Sequence, residues 1–280
     1  MRHAMLVLGC LTLLPACSME PDSPAPSPGG SGAAVSVGGT VPGAIASASA
    51  TASAAGASRS EKISNDLMEF EYTYPAQAGA IPALKQWFDQ DLDKRKRELE
   101  EDAKEQRAEA KKEGYPYRTL GYWATWKTVT DLPGWLSLSA EISTYEGGAH
   151  PNHGFEAVLW DKQGSRRFDP DDMFTSEAAL SRVIRKDFCR ALDRERVKKR
   201  GGAASATNEI SDFVSCIDPM DSTLILGSSN GKAFDRIGIL VPPYEAGPYA
   251  EGSYEVTLPV TAAVLATVRP EFRPAFMVGR

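Results

Sequence analysis

Apolar and polar positions alternate first at Met68, Phe70, Tyr72 and Tyr74. That period of two predicts a half-buried strand, closed by Pro75. The rhythm then changes. Leu84, Phe88, Leu92, Leu99, Ala103 and Ala110 fall on one stripe by steps of four and seven, which predicts a long helix over Ala83 to Glu113. Pro82 opens it, and Gly114 and Pro116 stop it. The helix carries nine basic and ten acidic residues. Such a face either binds a charged partner or is solvated and laced with i,i+4 pairs, and the second reading is preferred.

Strand patterns return at Tyr122, Ala124 and Trp126, then at Leu136, Leu138, Ala140 and Ile142, then at Phe155 to Trp160. Gly164 marks a turn into Arg166–Phe168. Sequential strands on short turns predict antiparallel pairing. Further on, Leu180, Val183, Ile184, Phe188, Ala191 and Leu192 predict a helix over Glu177 to Lys199. A flexible Gly/Ala/Ser excursion follows Arg200. Ile210, Phe213, Val214 and Ile217 predict a short helix bearing Cys216. Thr223–Leu226, Ala233–Val241 and Ser253–Leu258 read as strands, and Thr261 to Val268 as a closing helix. The expected fold class is α+β, with antiparallel sheets packed with helices in two sequential subdomains, residues 61–147 and 148–280.

The segment ahead of the first strand has no such rhythm. After Arg2, the 11 residues Ala4 to Leu14 are apolar. A helix of that length is too short for a bilayer core, which needs about 20 residues, but it fits the h-region of a secretory signal. Leu14-Pro15-Ala16-Cys17 resembles the bacterial lipobox, with Pro15 departing from the usual Ala or Ser. The expectation is a signal peptide over residues 1–16 and an acylated Cys17 that holds the chain on a lipid bilayer. Several acyl chains, at about 0.8 kcal/mol per buried CH₂, anchor stably. Ser18 resembles sorting to an outer membrane facing the periplasm, so the expected location is the bacterial cell envelope. Of the 43 residues Ser18 to Ser60, 33 are Ala, Ser, Gly or Pro and none is aromatic. Residues 17–60 are therefore expected to be a disordered tether, spanning about 35 Å as a flexible coil. With Cys10 removed and Cys17 acylated, Cys189 and Cys216 remain. In an oxidising envelope they read as one disulfide, the alternative being two buried thiols.

The net charge of −6 argues against nucleic acid as a partner, because phosphate binding needs a basic face. A mean hydropathy of −0.29 excludes a multi-span membrane protein. The candidate chemistry is sparse. His150 and His153 sit among Gly147, Gly148, Pro151 and Gly154 in a loop. With Glu146 or Asp161 they could complete a metal site, but a hairpin turn with His150 bonded to backbone is preferred. Asp169, Asp171 and Asp172 lack the closing Glu of a calcium loop and read as a turn before a helix. Trp123, Trp126 and Trp135 could stack on sugars, although such residues are more often core. No nucleophile elbow or phosphate loop is present. No cofactor and no catalytic residue is expected. The loop from Pro242 to Gly252 holds three prolines, two glycines and two tyrosines between strands, and can present a rigid surface or pack as a stiff crossover.

Two segments carry a resemblance. Tyr145-Glu146-Gly-Gly-Ala-His150-Pro151-Asn152 and Tyr244-x-x-Gly-Pro248-Tyr249-Ala250-x-Gly252, with Phe174 between them, resemble the RsiV-like extracellular domain of lysozyme-sensing anti-sigma factors. The preceding stretch from Asn65 is similar to the N-terminal domain of PdaC-type peptidoglycan deacetylases. The resemblance implies a binding module, since the Asp-Asp and paired-His motifs of the deacetylases' metal-dependent catalytic domain are absent here. It implies lysozyme or peptidoglycan as partner. Neither a sigma-binding segment nor a membrane span is read in the sequence, so a binding role without the signalling limb is expected. The ligand-contacting candidates are Glu146, His150, Asn152, Tyr244, Tyr249 and Glu251. The competing expectation is a peptidoglycan-modifying metal-dependent hydrolase or deacetylase built on His150, His153 and acidic residues.

Overall fold

The computed structural model describes residues 56–201 and 213–279. The expected signal peptide, Cys17 and most of the expected tether lie outside the described residues. Among the described residues no helix is long and apolar enough to cross a membrane.

The first sheet has six strands in the order β1 (Arg59–Ser64), β2 (Met68–Tyr74), β3 (Leu120–Asp131), β4 (Trp135–Tyr145), β5 (Asn152–Asp161) and β6 (Arg166–Phe168). Between β2 and β3 the chain makes a short turn of helix, α1 (Ala76–Gly79), and then α2 (Pro82–Glu113). This long crossover returns the chain parallel to β2, so β2 and β3 pair in parallel while every other ladder is antiparallel. Pro82 sits at the start of α2, and Gly114 ends it in a left-handed conformation, φ 78°.

The predicted stripe of α2 is what the sheet buries. Leu84, Phe88 and Leu92 are fully buried against Phe70, Tyr72, Tyr74, Trp126 and Trp160. The two tyrosines keep their hydroxyls satisfied on the helix, Tyr72 donating to Asp91 and Tyr74 to Asp89, both at 2.7 Å. The outer face of α2 carries the expected i,i+4 pairs, among them Lys85–Asp89 and Lys104–Glu100. It also makes cross-element pairs, Arg59–Asp89 and Lys96–Glu61, which hold the edge strand β1.

The second part is a three-stranded antiparallel sheet of β7 (Thr223–Gly227), β8 (Arg236–Val241) and β9 (Tyr254–Pro259). It packs with α3 (Glu177–Lys199) and α4 (Ala262–Thr267). Ser176 caps α3 by accepting from the Ala179 N–H. The fold is thus α+β with two subdomains, as the pattern predicts. The first sheet does not end at the expected division after Gly147, because β5 and β6 carry it to Phe168. Leu132, Leu159, Trp135 and Phe168 of that sheet join the core of the second part.

Cys189 on α3 is disulfide-bonded to Cys216. Ile210 lies outside the described residues; Phe213 is in a 3-10 turn, but the expectation that Cys216 sits on a helix is corrected, because Val214 and Ser215 bend away and Cys216 lies in irregular backbone. The reason is local. The carbonyls of Val214 and Ser215 accept from Arg196, and that of Cys216 from Arg185, so they are committed to α3 rather than to i→i+4 bonds. Asp218 then caps a separate turn at Pro219–Asp221.

Candidate binding site

The β4–β5 and β8–β9 loops, separated by about 95 residues of chain, meet. The first loop is shaped by its glycines and by two donors. Gly147 takes φ 87°. The Arg118 guanidinium donates to the carbonyls of Gly147 and Gly148, and the Tyr145 hydroxyl to Gly148. His150 follows, with Nδ1 2.9 Å from the Pro151 carbonyl, the backbone bond expected for a turn histidine.

The second loop is fixed from α3. Arg196 is buried, and its Nε donates to the carbonyl of Ala246 at 2.9 Å. Arg200 pairs with Glu251 through two bonds of 2.8 and 3.1 Å, and Lys199 donates to the carbonyls of Glu251 and Ser253. The Tyr254 hydroxyl also donates to Glu251. Burial opposes ionisation of Glu251, but Arg200 and Tyr254 outweigh it and hold the carboxyl below the usual range. The same burial, with Glu251 beside it, pushes Tyr254 up to about 12. A side chain at Gly247 would run into the Glu251 carboxylate and the Tyr254 hydroxyl, so any other residue there would push this knot apart.

So held, the loops interlock through four rings. His150 stacks on Tyr249 with centroids 3.9 Å apart, and Tyr244 lies 5.5 Å from Tyr249. His150 Nε2 is 3.1 Å from Tyr244 Oη, and His153 Nε2 is 3.0 Å from Tyr249 Oη. One proton arrangement satisfies every contact. His150 Nδ1–H and the Tyr249 hydroxyl both donate to the Pro151 carbonyl, which has two lone pairs. His153 Nε2–H donates to Tyr249 Oη, and Ser143 Oγ donates to His153 Nδ1 at 2.8 Å. His150 Nε2 is left to accept from Tyr244. Tyr244 itself is 52% exposed, on a backbone with φ 74°, an unusual conformation for a bulky residue.

Of the six predicted contact residues, three thus come together: His150, Tyr244 and Tyr249. Glu146 and Asn152 are exposed on the flanks of the first loop, and their side chains make no hydrogen bond among the described residues. Glu251 is turned inward to Arg200, the residue that caps the C-terminus of α3, and acts as a strut. Asp161 caps the β5–β6 turn by accepting from the N–H groups of Gln163 and Gly164, at the other end of β5 from His153. Among the described residues no group of three His, Cys, Asp or Glu side chains could hold a metal. The Asp169 cluster forms a capping box on the turn Pro170–Met173. Trp126 is core, while Trp123 and Trp135 are only partly buried. Sequence reading missed Ser143, Arg118, Arg196 and Arg200. The last two had a signal: Phe188, Leu192, Arg196 and Arg200 step by four along the buried stripe of α3.

Beside the platform runs a cleft of about 640 Å³ between α2, β5 and the start of β7, ending at Pro242. Trp87, Arg95, Glu156, Arg167 and Asp171 line it. Burial raises the Glu156 carboxyl, which Arg95 only partly offsets. Burial, with Glu177, Asp169 and Asp172 nearby, raises Asp171 to about 6.

A family model described as Deacetylase PdaC matches residues 61–153. The match starts where the resemblance places a PdaC-type domain and runs six residues past the expected end at 147, to His153 inside the platform. Among solved structures, one similar chain is a DUF3298-family protein from Bacteroides fragilis, at 14% identity over 74% of this chain and 92% of that chain, TM-score 0.46. Another is a DUF3298-family protein from Pseudomonas aeruginosa, at 12% identity over 81% of this chain and 99% of that chain, TM-score 0.44. No curated protein matches the chain.

Proposed function

We propose that this chain is a non-catalytic binding protein of the bacterial cell envelope, held on a membrane by acylated Cys17 and recognising a ligand at the cell wall through the two-loop platform. The observation that carries the reading is the interlock of His150, Tyr244 and Tyr249. Two loops distant in sequence are locked into one surface around Tyr249, with Tyr244 exposed beside it. Pre-organised aromatic groups of this kind make good contact anchors, since little side-chain freedom is lost on binding. The two histidines are committed to tyrosine, serine and backbone partners, an arrangement that suits rigidity better than metal ligation.

The ligand proposed first is a lysozyme-like protein, as the RsiV-like resemblance of both loops implies. The net charge of −6 supports it, because opposite fields steer association with a cationic protein. Peptidoglycan is the other cell-wall ligand of this reading. The expected tether is shorter at its C-terminal end than residue 60, because Arg59 and Ser60 are in β1, and its remainder would carry the folded part clear of the lipid headgroups. The purified chain is titrated with lysozyme and, separately, with labelled peptidoglycan while turnover is followed. Saturable binding that weakens with salt, without turnover, supports the reading. Release of acetate or of glycan fragments, abolished by His150→Ala, would replace it with the deacetylase or hydrolase reading. Radiolabelled palmitate in the mature chain, lost in Cys17→Ser, tests the anchor.

A further inference from the structure

The cleft beside the platform has a feature that the two-loop reading does not use. β5 is ten residues long, but β6 pairs only with Leu159–Asp161. The facing of β5 can be read from its bonds. The Lys162 N–H donates to Gly134 on the β4 side, so even-numbered residues turn their backbone groups towards β4. The odd-numbered ones turn away, as the Phe155 carbonyl does in accepting from Thr223 Oγ1 at 3.0 Å. Beyond the end of β6, therefore, the Phe155 N–H and both backbone groups of Ala157 face the cleft with no ladder partner, between the Pro170–Met173 turn on one side and Thr223 on the other, and both residues line it. An open edge of this kind is a template for an added strand.

The side chains around that edge state the charge of what would fit. Asp91, Glu156, Asp169, Asp171 and Asp221 line the cleft against Arg95 and Arg167. Both arginines are already engaged, Arg95 with Asp91 and Glu156, and Arg167 with Asp169 and over the Trp87 ring at 5.4 Å. Asp171 and Asp221 have no ion-pair partner among the described residues. Trp87 and Phe155 supply apolar wall. The volume of about 640 Å³ falls within the roughly 300–1,000 Å³ of ordinary ligand clefts.

We infer that this cleft binds an extended basic polypeptide segment, laid along the free edge of β5 at Phe155–Ala157 as a short added strand in line with β6. Main-chain bonds to Ala157 and Phe155 set its direction, and its lysine or arginine side chains reach Asp171 and Asp221. The proposal stands apart from the platform. Its failure leaves the platform reading intact, because the probe below contains neither lysozyme nor glycan.

The probe is an end-capped decapeptide of alternating lysine and valine, titrated into the whole chain by calorimetry and by amide chemical shifts. Three ligands serve as controls: the glutamate-for-lysine peptide, the lysine peptide N-methylated at alternate residues, and spermine. The lysine peptide should bind saturably and shift the Phe155 and Ala157 amides. The glutamate and N-methylated peptides should bind at least tenfold more weakly. Ala157→Pro removes an outward N–H that no ladder uses, a substitution tolerated at strand edges. It should keep its unfolding temperature and lose at least tenfold in affinity. If that variant fails to fold, the N-methylated peptide tests the same bonds from the ligand's side. Binding of spermine as tight as that of the peptide would overturn the proposal. So would no binding at millimolar peptide, indifference to N-methylation, shifts confined to another face, or self-association of the chain as the only event at this edge.

Discussion

Asp171 and Arg196 show how single groups were set against their surroundings. Asp171 lines the cleft half-buried among other carboxylates, and its pKa rises to about 6. A carboxyl raised in the folded state binds its proton more tightly there than when unfolded. Stability is therefore greatest below the ordinary carboxylate range and falls as pH rises through about 6. Asp171→Asn should raise the unfolding free energy at pH 7, by on the order of 1 kcal/mol once solvent screening is allowed for, and change it little at pH 3. Denaturant melts at the two pH values check the sign. Arg196 makes the opposite case. Its buried guanidinium serves the carbonyls of Ala246, Val214 and Ser215. Arg196→Ala strands those acceptors and should destabilise by about 2–4 kcal/mol. Because Ala246 lies in the β8–β9 loop, the variant should also weaken ligand binding at temperatures where it remains folded. Calorimetric melting with a parallel binding isotherm reads both effects.

At the scale of elements, strands and helices followed from periodicity wherever burial was one-sided. β2, β4 and α2 were legible because each buries one face of a regular pattern. β1 was not, since Arg-Ser-Glu-Lys-Ile-Ser offers a single apolar residue. It is an edge strand held by its ladder to β2 and by charge pairs to α2, which leave no hydrophobic signature. The parallel partnership of β2 and β3 was equally hidden, because it depends on where α2 returns the chain. For the site, both loops stood out in the sequence by their Gly, Pro, His and Tyr content. Their meeting did not, because contacts across about 95 residues are set by how β5 and β8 are brought together. The disulfide was legible by elimination, and its role is local to these elements. It ties α3 to the segment whose carbonyls Arg196 holds. Closing a loop of 27 residues is worth about 3.5 kcal/mol in the chain-entropy view. Paired replacement of Cys189 and Cys216 by serine should lower the unfolding free energy from denaturant melts by that amount, measured against the oxidised parent.

At the scale of the whole described part, the two sheets act as one scaffold. Leu159 of β5 is fully buried in the second core, and its neighbours Val158 and Trp160 face the first. β5 is therefore the element that both cores grip. It positions His153 and Asn152 at one end and the open edge at the middle. Rigid loops on such a scaffold can be complementary to a partner without rearranging, so most of the binding energy should survive as affinity. The measurement that tests this most directly is the lysozyme isotherm of the purified chain beside that of Tyr244→Ala. The ring is half exposed and gives folding one hydrogen bond to His150, so the variant should melt within a few degrees of the parent yet bind at least tenfold more weakly. Equal affinity in the two proteins, or no saturable binding by the parent, would contradict the account.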